Sequence, residues 1–467
     1  MNELYCQTQR SMKFTVISLL LFFGYTIRSQ AQTKGTRPNI ILIITDQQTA
    51  NALSYVGNKD LHTPGIDALA RDGMLFKRSY VSYPVCGPSR ASLITGKMPV
   101  QINVADNGPD HGPNLPEEHL QYSLGRLLAD AGYDCLYAGK WHAPTKVNLP
   151  KDGTGFTKVF DMDDMQIVLM SIPHFQQKRN KPLFYVASFL NPHEICEYAR
   201  SEFLPTGPVE AGNVKDYPQL PYNAAIPAYF PEAVLLNRDA DPRSYPTKLY
   251  TDDDWRAYLH AYYRLVERVD GEISKLIAAL KANNLYDSSV ILFVSDHGDA
   301  VGAQRGNQKR TLQEEVVRVP FIVKKPNQQQ AGVINERALV NTSLDIYQTI
   351  LDYAQVKPKQ QLLGKSLRPV LDGSTDTLHE EVFIETLLDA VQTRGWAVVT
   401  KDFKYVLYRN FKNNEQLFNL SSDPHEIQNL AVNKAYEETT VMFRKKLYDW
   451  AVKTNDRVLQ RLLVHNR

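Results

Sequence analysis

The chain has 467 residues, 43% hydrophobic and 22% charged, the proportions of an ordinary globular protein with room for a large buried core and more than one domain. A formal net charge of +2 excludes a general nucleic-acid binder, because no global positive field is present to hold phosphates. A local basic pocket for a small anion is compatible with it. At the N-terminus, Met12 and Lys13 precede an apolar run from Phe14 to Tyr25 that is too short to span a bilayer. Ser29 and Ala31 then supply the small residues that signal peptidase requires, so residues 1–31 read as a signal peptide, with translation starting at Met1 or Met12. No cysteine follows the cleavage point to take a lipid, and the expectation is a periplasmic or secreted protein with no membrane anchor.

Beyond residue 37, strand and helix patterns alternate. "NIILIIT" (Asn39 to Thr45) is a continuous β-rich apolar run, the pattern of a strand buried on both faces. "HTPGIDALARDG" follows as a helix, with Thr63 at the N-cap, Pro64 at the first helical position and Gly73 as the stop. Then come the strand "MLFKRSYV", a helix around Ser123 to Ala131, the strand "LFYVASFL", and a long amphipathic helix from about Asp252 to Asn283. The strands "VILFVS" and "PFIVK" and the helix "SLDIYQTILDYA" complete the series. This alternation predicts an α/β fold, a large mostly parallel central sheet flanked by helices, over residues 37–375. From 376 to 467 the register changes: four short strands ("VFIET", "GWAVVT", "FKYVLYR", "QLFNL") and a helix predict a smaller C-terminal subdomain with an antiparallel sheet. The segment from about Glu197 to Tyr250, rich in proline and tyrosine and without clear periodicity, reads as a long substrate-facing loop.

Four cysteines are present, and Cys6 leaves with the signal peptide, so the mature chain keeps an odd number. Cys135 reads as a buried strand residue; Cys196, after "NPHEI", could pair or stay free. Cys86 stands apart: "YPVCGPSRASLITGK" sets it at the start of a helix, where backbone N–H groups point toward an anion.

In an open α/β sheet, ligands gather at the carboxyl ends of the strands. Four such ends carry polar groups here: Asp46 and Gln47, Lys140 and His142, Asn191 and His193, and Asp296 and His297. A single aspartate after a strand is most often a helix cap; four polar ends beside the Cys86 turn describe a site. Oxygen donors from Asp46, Gln47 and Asp296 suit a hard divalent cation such as calcium or magnesium. The lysines and histidines suit an anionic substrate and its proton transfers.

The run Cys86-Gly87-Pro88-Ser89-Arg90, with Thr95-Gly96, resembles the signature of the type I (formylglycine-dependent) sulfatases, within the alkaline phosphatase superfamily. "RPNIILIITDQQ", "GKWH", "NPHE", "SDHGD", "NQKRTLQEEVVRVPFIV" and the tail "QLFNLSSDPHEIQNLA" follow in that family's order. The resemblance implies that a formylglycine-generating maturase oxidises Cys86 to formylglycine during export. One hydroxyl of the hydrated aldehyde, made more acidic by a Ca2+ ion and by Arg90, would attack the sulfur of a sulfate ester. It further implies that Asp46, Gln47, residue 86, Asp296 and His297 hold the cation, and that Lys140 and Lys309 bind the sulfate. His193, alone or with Lys309, would protonate the leaving oxygen, and His142 would help deprotonate the second hydroxyl, so that inorganic sulfate departs. Two positions depart from the common pattern: Gln47 stands where a second aspartate is usual, and His297 where many members have asparagine.

By the same resemblance the expected substrate is a sulfated oligosaccharide, with exo-acting removal of the 2-O-sulfate from an (unsaturated) uronic acid of heparin/heparan or chondroitin sulfate. N-acetylglucosamine-6-sulfate is the second candidate, and a phosphodiesterase or phosphonate hydrolase activity of the superfamily is an alternative chemistry. A non-catalytic binder of sulfated glycans, with Cys86 kept as a thiol, is the alternative outside enzymes. The loop from Asn103 to Asn114 follows the Cys86 helix, and Asn107 and His111 are its candidate substrate contacts.

Overall fold

The computed structural model describes residues 37–107, 117–142 and 153–464. The expected signal segment and His111 lie outside the described residues. Residues 37–467 form one compact unit. Its centre is an eight-stranded sheet made of β1 (Asn39–Asp46), β2 (Met74–Tyr80), β3 (Asp134–Gly139), β4 (Thr157–Phe160), β5 (Leu183–Pro192), β6 (Ser289–Ser295), β7 (Phe321–Lys324) and β8 (Val333–Asn341). The spatial order is β4-β3-β5-β1-β6-β7-β2-β8. Only β7 runs against its neighbours β6 and β2; the other pairings are parallel.

The apolar run in β1 explains its central place. Ile40, Leu42 and Ile44 point into one core, Ile41 and Ile43 into another, so both faces are covered. On one face lie the helices Cys86–Thr95, Leu124–Asp130 and Thr342–Tyr353; on the other, Pro64–Asp72, Asp164–Phe175 and Asp252–Ala282. Asp252–Ala282 opens with a capping box, in which Thr251 and Asp254 each satisfy the other's backbone N–H. The helix Cys86–Thr95 is buried along its whole length and stops at Gly96, whose φ of 69° is left-handed. A Cβ there would lie 2.5 Å from the ring of Tyr347, so glycine is required on two counts.

The second sheet is antiparallel, in the order β12-β11-β10-β9: β9 (Glu381–Leu388), β10 (Thr393–Thr400), β11 (Phe403–Tyr408) and β12 (Glu415–Asn419). Trp396, Val398, Tyr405 and Leu417 pack on Phe443, Leu447 and Ala451 of the helix Glu437–Thr454. The opposite face, with Ile384, Ala397, Val399 and Val406, joins the main core. Between the sheets, the fully buried ammonium of Lys404 lies 3.1 Å from Glu314 Oε1 and 2.7 Å from Glu426 Oε1, and the Glu314 amide donates to Glu426 Oε2.

The segment 197–250 is not a structureless loop. It contains the helix Glu232–Ala240 and short 3-10 turns at Val214–Asp216 and Pro246–Leu249. It packs against the segment that carries Lys309: Tyr245 OH donates to the Lys309 carbonyl and Thr247 Oγ1 to Asn307 Oδ1. All three cysteines among the described residues are free and buried. No helix among the described residues is long and apolar enough to cross a membrane.

Candidate active site

Four adjacent strands, β3, β5, β1 and β6, deliver the predicted residues to one edge of the sheet. Lys140 follows β3, His193 follows β5, Asp46 and Gln47 close β1, and Asp296 and His297 follow β6. The Cys86 helix points its N-terminus at the same place. Cys86 Sγ lies 3.1 Å from His297 Nε2, 3.1 Å from Lys309 Nζ and 3.7 Å from Asp46 Oδ1. The thiol is fully buried, and burial alone would raise its pKa; Lys140, Lys309 and His297 overturn that and pull it well below the ordinary value. A core thiol has no such surroundings: burial pushes Cys135 up instead, helped by Asp134.

Arg90 organises the acids. Its Nε donates to Asp296 Oδ2 at 2.7 Å and its Nη2 to Asp46 Oδ2 at 3.0 Å, while Nη1 reaches the Lys140 carbonyl and Ser188 Oγ. Lys140 Nζ also takes Asp46 Oδ2, at 2.7 Å. The Oδ2 atoms are thus occupied by cations, and the two Oδ1 atoms are left on the side of Cys86 and His297. His297 donates from Nδ1 to the Gly298 carbonyl, which presents Nε2 to the same point. One donor atom from each of Asp46, Cys86, Asp296 and His297 falls within 4.8 Å of the others. A small divalent cation fits this set: two carboxylate oxygens and an oriented imidazole converge where no side-chain cation is hydrogen-bonded to those oxygens. Burial pushes the Asp296 carboxyl up to about 6, with help from Asp46 and against Arg90. Burial and Cys86 push Asp46 up as well, but Lys140, His193 and Arg90 outweigh them and hold it far below the usual range.

Residues 38–356 match the sulfatase family, and residues 302–453 match the C-terminal region of N-sulphoglucosamine sulphohydrolases. The chain belongs to the sulfatase family. It is 27% identical over 452 residues to a delta 4,5-hexuronate-2-O-sulfatase of Bacteroides thetaiotaomicron, covering 92% of this chain and 91% of that one. An ulvan-active sulfatase of Formosa agariphila is also 27% identical, with 96% and 90% covered. The solved structure of a 2-O GAG sulfatase superposes with a TM-score of 0.78 at 25% identity, covering 90% of this chain and 93% of that one.

The sulfatase therefore hydrolyses sulfuric esters, and its site brings together all the residues singled out at the strand ends apart from Asn191. Lys309 Nζ bridges Cys86, Gln47 Oε1 at 3.3 Å and His193 Nε2 at 3.2 Å. Lysine can only donate, so His193 Nε2 accepts, in keeping with a pKa lowered to about 4 by burial, Lys140 and Lys309. His142 lies beside Cys86 with φ 39°; burial lowers its pKa while the Cys86 contact opposes this. Asn107 is placed against the Cys86 helix, its Oδ1 accepting from the Gly87 amide at 2.9 Å. Asn191 turns away from the cluster, its side chain donating to Thr206 Oγ1.

Three features of the sulfatase site were not legible in sequence. Cys196, on the short helix Ile195–Ala199, sits against Gln47 and Gln308. Arg310 joins Asp106, in the loop after the Cys86 helix, to Asp389 of the segment after β9. Asp299 accepts from Gln47 Nε2 at 2.7 Å. The only prior signal was the second aspartate of "SDHGD", which motif order alone left without a role.

Proposed function

We propose that this sulfatase is exported after loss of residues 1–31 and removes the 2-O-sulfate from a terminal uronic acid of a glycosaminoglycan fragment. The observation that carries the chemistry is Cys86 at a buried helix N-terminus, held between Lys309, His297 and Asp46. The glycan and the sulfate position are supported by the 2-O-sulfatases among its relatives.

Oxidised to formylglycine and hydrated, residue 86 would supply a carbon bearing two hydroxyls, and a calcium ion, which Asp46, Gln47, residue 86, Asp296 and His297 would hold, would supply Lewis-acid polarisation. The remaining work falls to the chain's own groups. Lys140 and Lys309 place ammonium groups where sulfate oxygens bind and offset their charge as it grows. Arg90, by holding both Asp46 and Asp296, keeps the acids in place and lowers the cost of negative charge at residue 86. His193 and Lys309, hydrogen-bonded to each other, are the pair that supplies the proton to the departing sugar oxygen. His142 takes the proton from the second hydroxyl of residue 86. Asn107, which joins the pocket rim to the nucleophile helix, contacts the sugar.

The test is sulfate release from a panel of defined mono- and disaccharides, sulfated at single positions, by protein coexpressed with a maturase. Release from uronic acid 2-sulfate, and loss of it in Cys86→Ala with an unchanged melting temperature, is expected. Release confined to N-acetylglucosamine-6-sulfate would overturn the substrate, and full activity of Cys86→Ala would overturn the mechanism. Intact mass of the peptide containing residue 86 distinguishes aldehyde from thiol.

A further inference from the structure

Gln47 leaves the cation site one carboxylate short of the common family pattern, yet a carboxylate stands directly behind it. Asp299 Oδ2 accepts from Gln47 Nε2 at 2.7 Å, and both side chains are buried. Every other partner of Asp299 is also a donor: the Val301 amide at 2.7 Å, the Gln308 amide at 3.1 Å, and Tyr258 OH at 3.1 and 3.0 Å from its two oxygens. Burial raises the Asp299 pKa, and these donors oppose it, each using the carboxyl as an acceptor.

A carboxamide can present either end, and its two ends differ little in shape, so something must choose. At Gln47 both sides choose the same way. Asp299 can only accept and so demands Nε2; Lys309, 3.3 Å from the other end, can only donate and so demands Oε1. A flipped amide would set its nitrogen against an ammonium and its oxygen against a carboxylate. Cys196 lies 3.4 Å from Nε2 and 3.5 Å from Oε1 and expresses no preference. The backbone is fixed as well, because the Gln47 amide donates to Asp296 Oδ1 and its carbonyl accepts from Tyr262 OH.

We propose that Asp299 is a positioning residue that turns the Gln47 amide so that its oxygen faces the cation, and that it holds, one side chain further back, the negative charge that position 47 lacks. This rests on the cation reading of the site. It separates Asp299 from a purely structural cap of the 299–308 turn, because it predicts that charge can be exchanged between positions 47 and 299. Glutamate is the isosteric acid at position 47 and would bring two carboxylates to the 2.7 Å now spanned by a hydrogen bond.

The experiment is calorimetric titration of the metal-freed protein with calcium, together with melting temperatures without metal, for wild type, Asp299→Asn, Gln47→Glu and the double variant. Asp299→Asn is expected to weaken calcium binding by about 10–100-fold, the usual loss when a group behind a metal ligand is removed. Gln47→Glu alone is expected to lower the metal-free melting temperature by about 3 °C or more, from two buried like charges in contact. Combined, Gln47→Glu with Asp299→Asn is expected to recover calcium affinity to within about threefold of wild type and to reverse the melting defect, a coupling that independent sites would not show. Wild-type affinity in Asp299→Asn, or a double variant no better than Asp299→Asn, would overturn the proposal. If Asp299→Asn does not fold, the melting temperature of Gln47→Glu decides, and no change there overturns it. A wild type that binds no calcium would overturn the cation reading and this one together.

Discussion

Replacing Arg90 with methionine removes the one guanidinium among the described residues that touches both cluster acids, while keeping an apolar chain in its place. Asp46 retains Lys140 at 2.7 Å, but Asp296 Oδ2 loses the Arg90 Nε donor at 2.7 Å. Breaking a buried ion pair from one side costs about 3–5 kcal/mol, since a charge is left without its partner. With an unfolding entropy of about 2.1 cal/mol/K per residue over about 430 residues, that cost lowers the melting temperature by about 3–6 °C. The loss depends on pH in a defined sense. Asp296 is already pushed up to about 6, and without Arg90 it rises further above its unfolded value. A carboxyl raised in the fold contributes stability at low pH and loses it as pH rises through the folded pKa, so the defect is larger at pH 8 than at pH 5.5. Calcium at 100 times its dissociation constant should return up to about 2.7 kcal/mol to any variant that still binds it. Scanning calorimetry at the two pH values, in chelator and in calcium, measures all of this. A difference under about 1 °C at pH 8, or a defect indifferent to pH, would refute the account of Arg90 as the acids' counter-charge.

Other perturbations probe separate parts of the molecule. His193→Ala should slow a sugar sulfate far more than an activated aryl sulfate, because only a poor leaving group needs the proton, whereas Lys140→Ala should slow both alike; equal factors in kcat/KM for His193→Ala would transfer the acid role to Lys309. Chelation should abolish activity and calcium restore it, with a parallel rise in melting temperature; full activity in protein shown to be metal-free would leave the acid cluster a structural one. Glu385, buried on β9 with the Val100 amide on Oε2, is pushed up to about 8 by burial first and Asp456 second, against Arg394. Its contribution is present below about pH 4.5 and lost at about 1.4 kcal/mol per pH unit as pH rises to 8, so Glu385→Gln should flatten the melting temperature against pH and raise it at pH 8. An unchanged slope would show that Glu385 is not the titrating group.

The parts of the fold written in sequence are those where one residue pattern answers to one environment. Asn39 to Thr45 could only be a strand covered on both faces, and it is. The long helix was legible to within a residue because its capping box and apolar stripe agree. β8 escaped notice because Val333, Ile334, Glu336 and Arg337 are exposed, and an edge strand of mixed polarity carries neither alternation nor an apolar run. The helix Glu232–Ala240 escaped because it is short and buries only Ala233 and Asn237. In the site, the residues met in strand-end motifs converge, apart from Asn191, but Asp299 and Arg310 act through partners 252 and 204 residues away in the chain, which no local pattern encodes.

The buried group of Glu314, Lys404 and Glu426 joins three stretches of chain that are far apart in sequence. Glu314 lies five positions after Lys309, Lys404 lies in β11, and Glu426 follows β12. A shortened protein ending before β11 would thus expose more than a missing accessory lobe. It would strip Glu314 of Lys404 and leave the acid to Arg318 and Tyr80 OH, at the foot of the loop that carries Lys309. Exchange of C-terminal portions between relatives should accordingly succeed only when acid and lysine travel as a matched set, and a graft that carries one without the others should fail in catalysis even where it still folds.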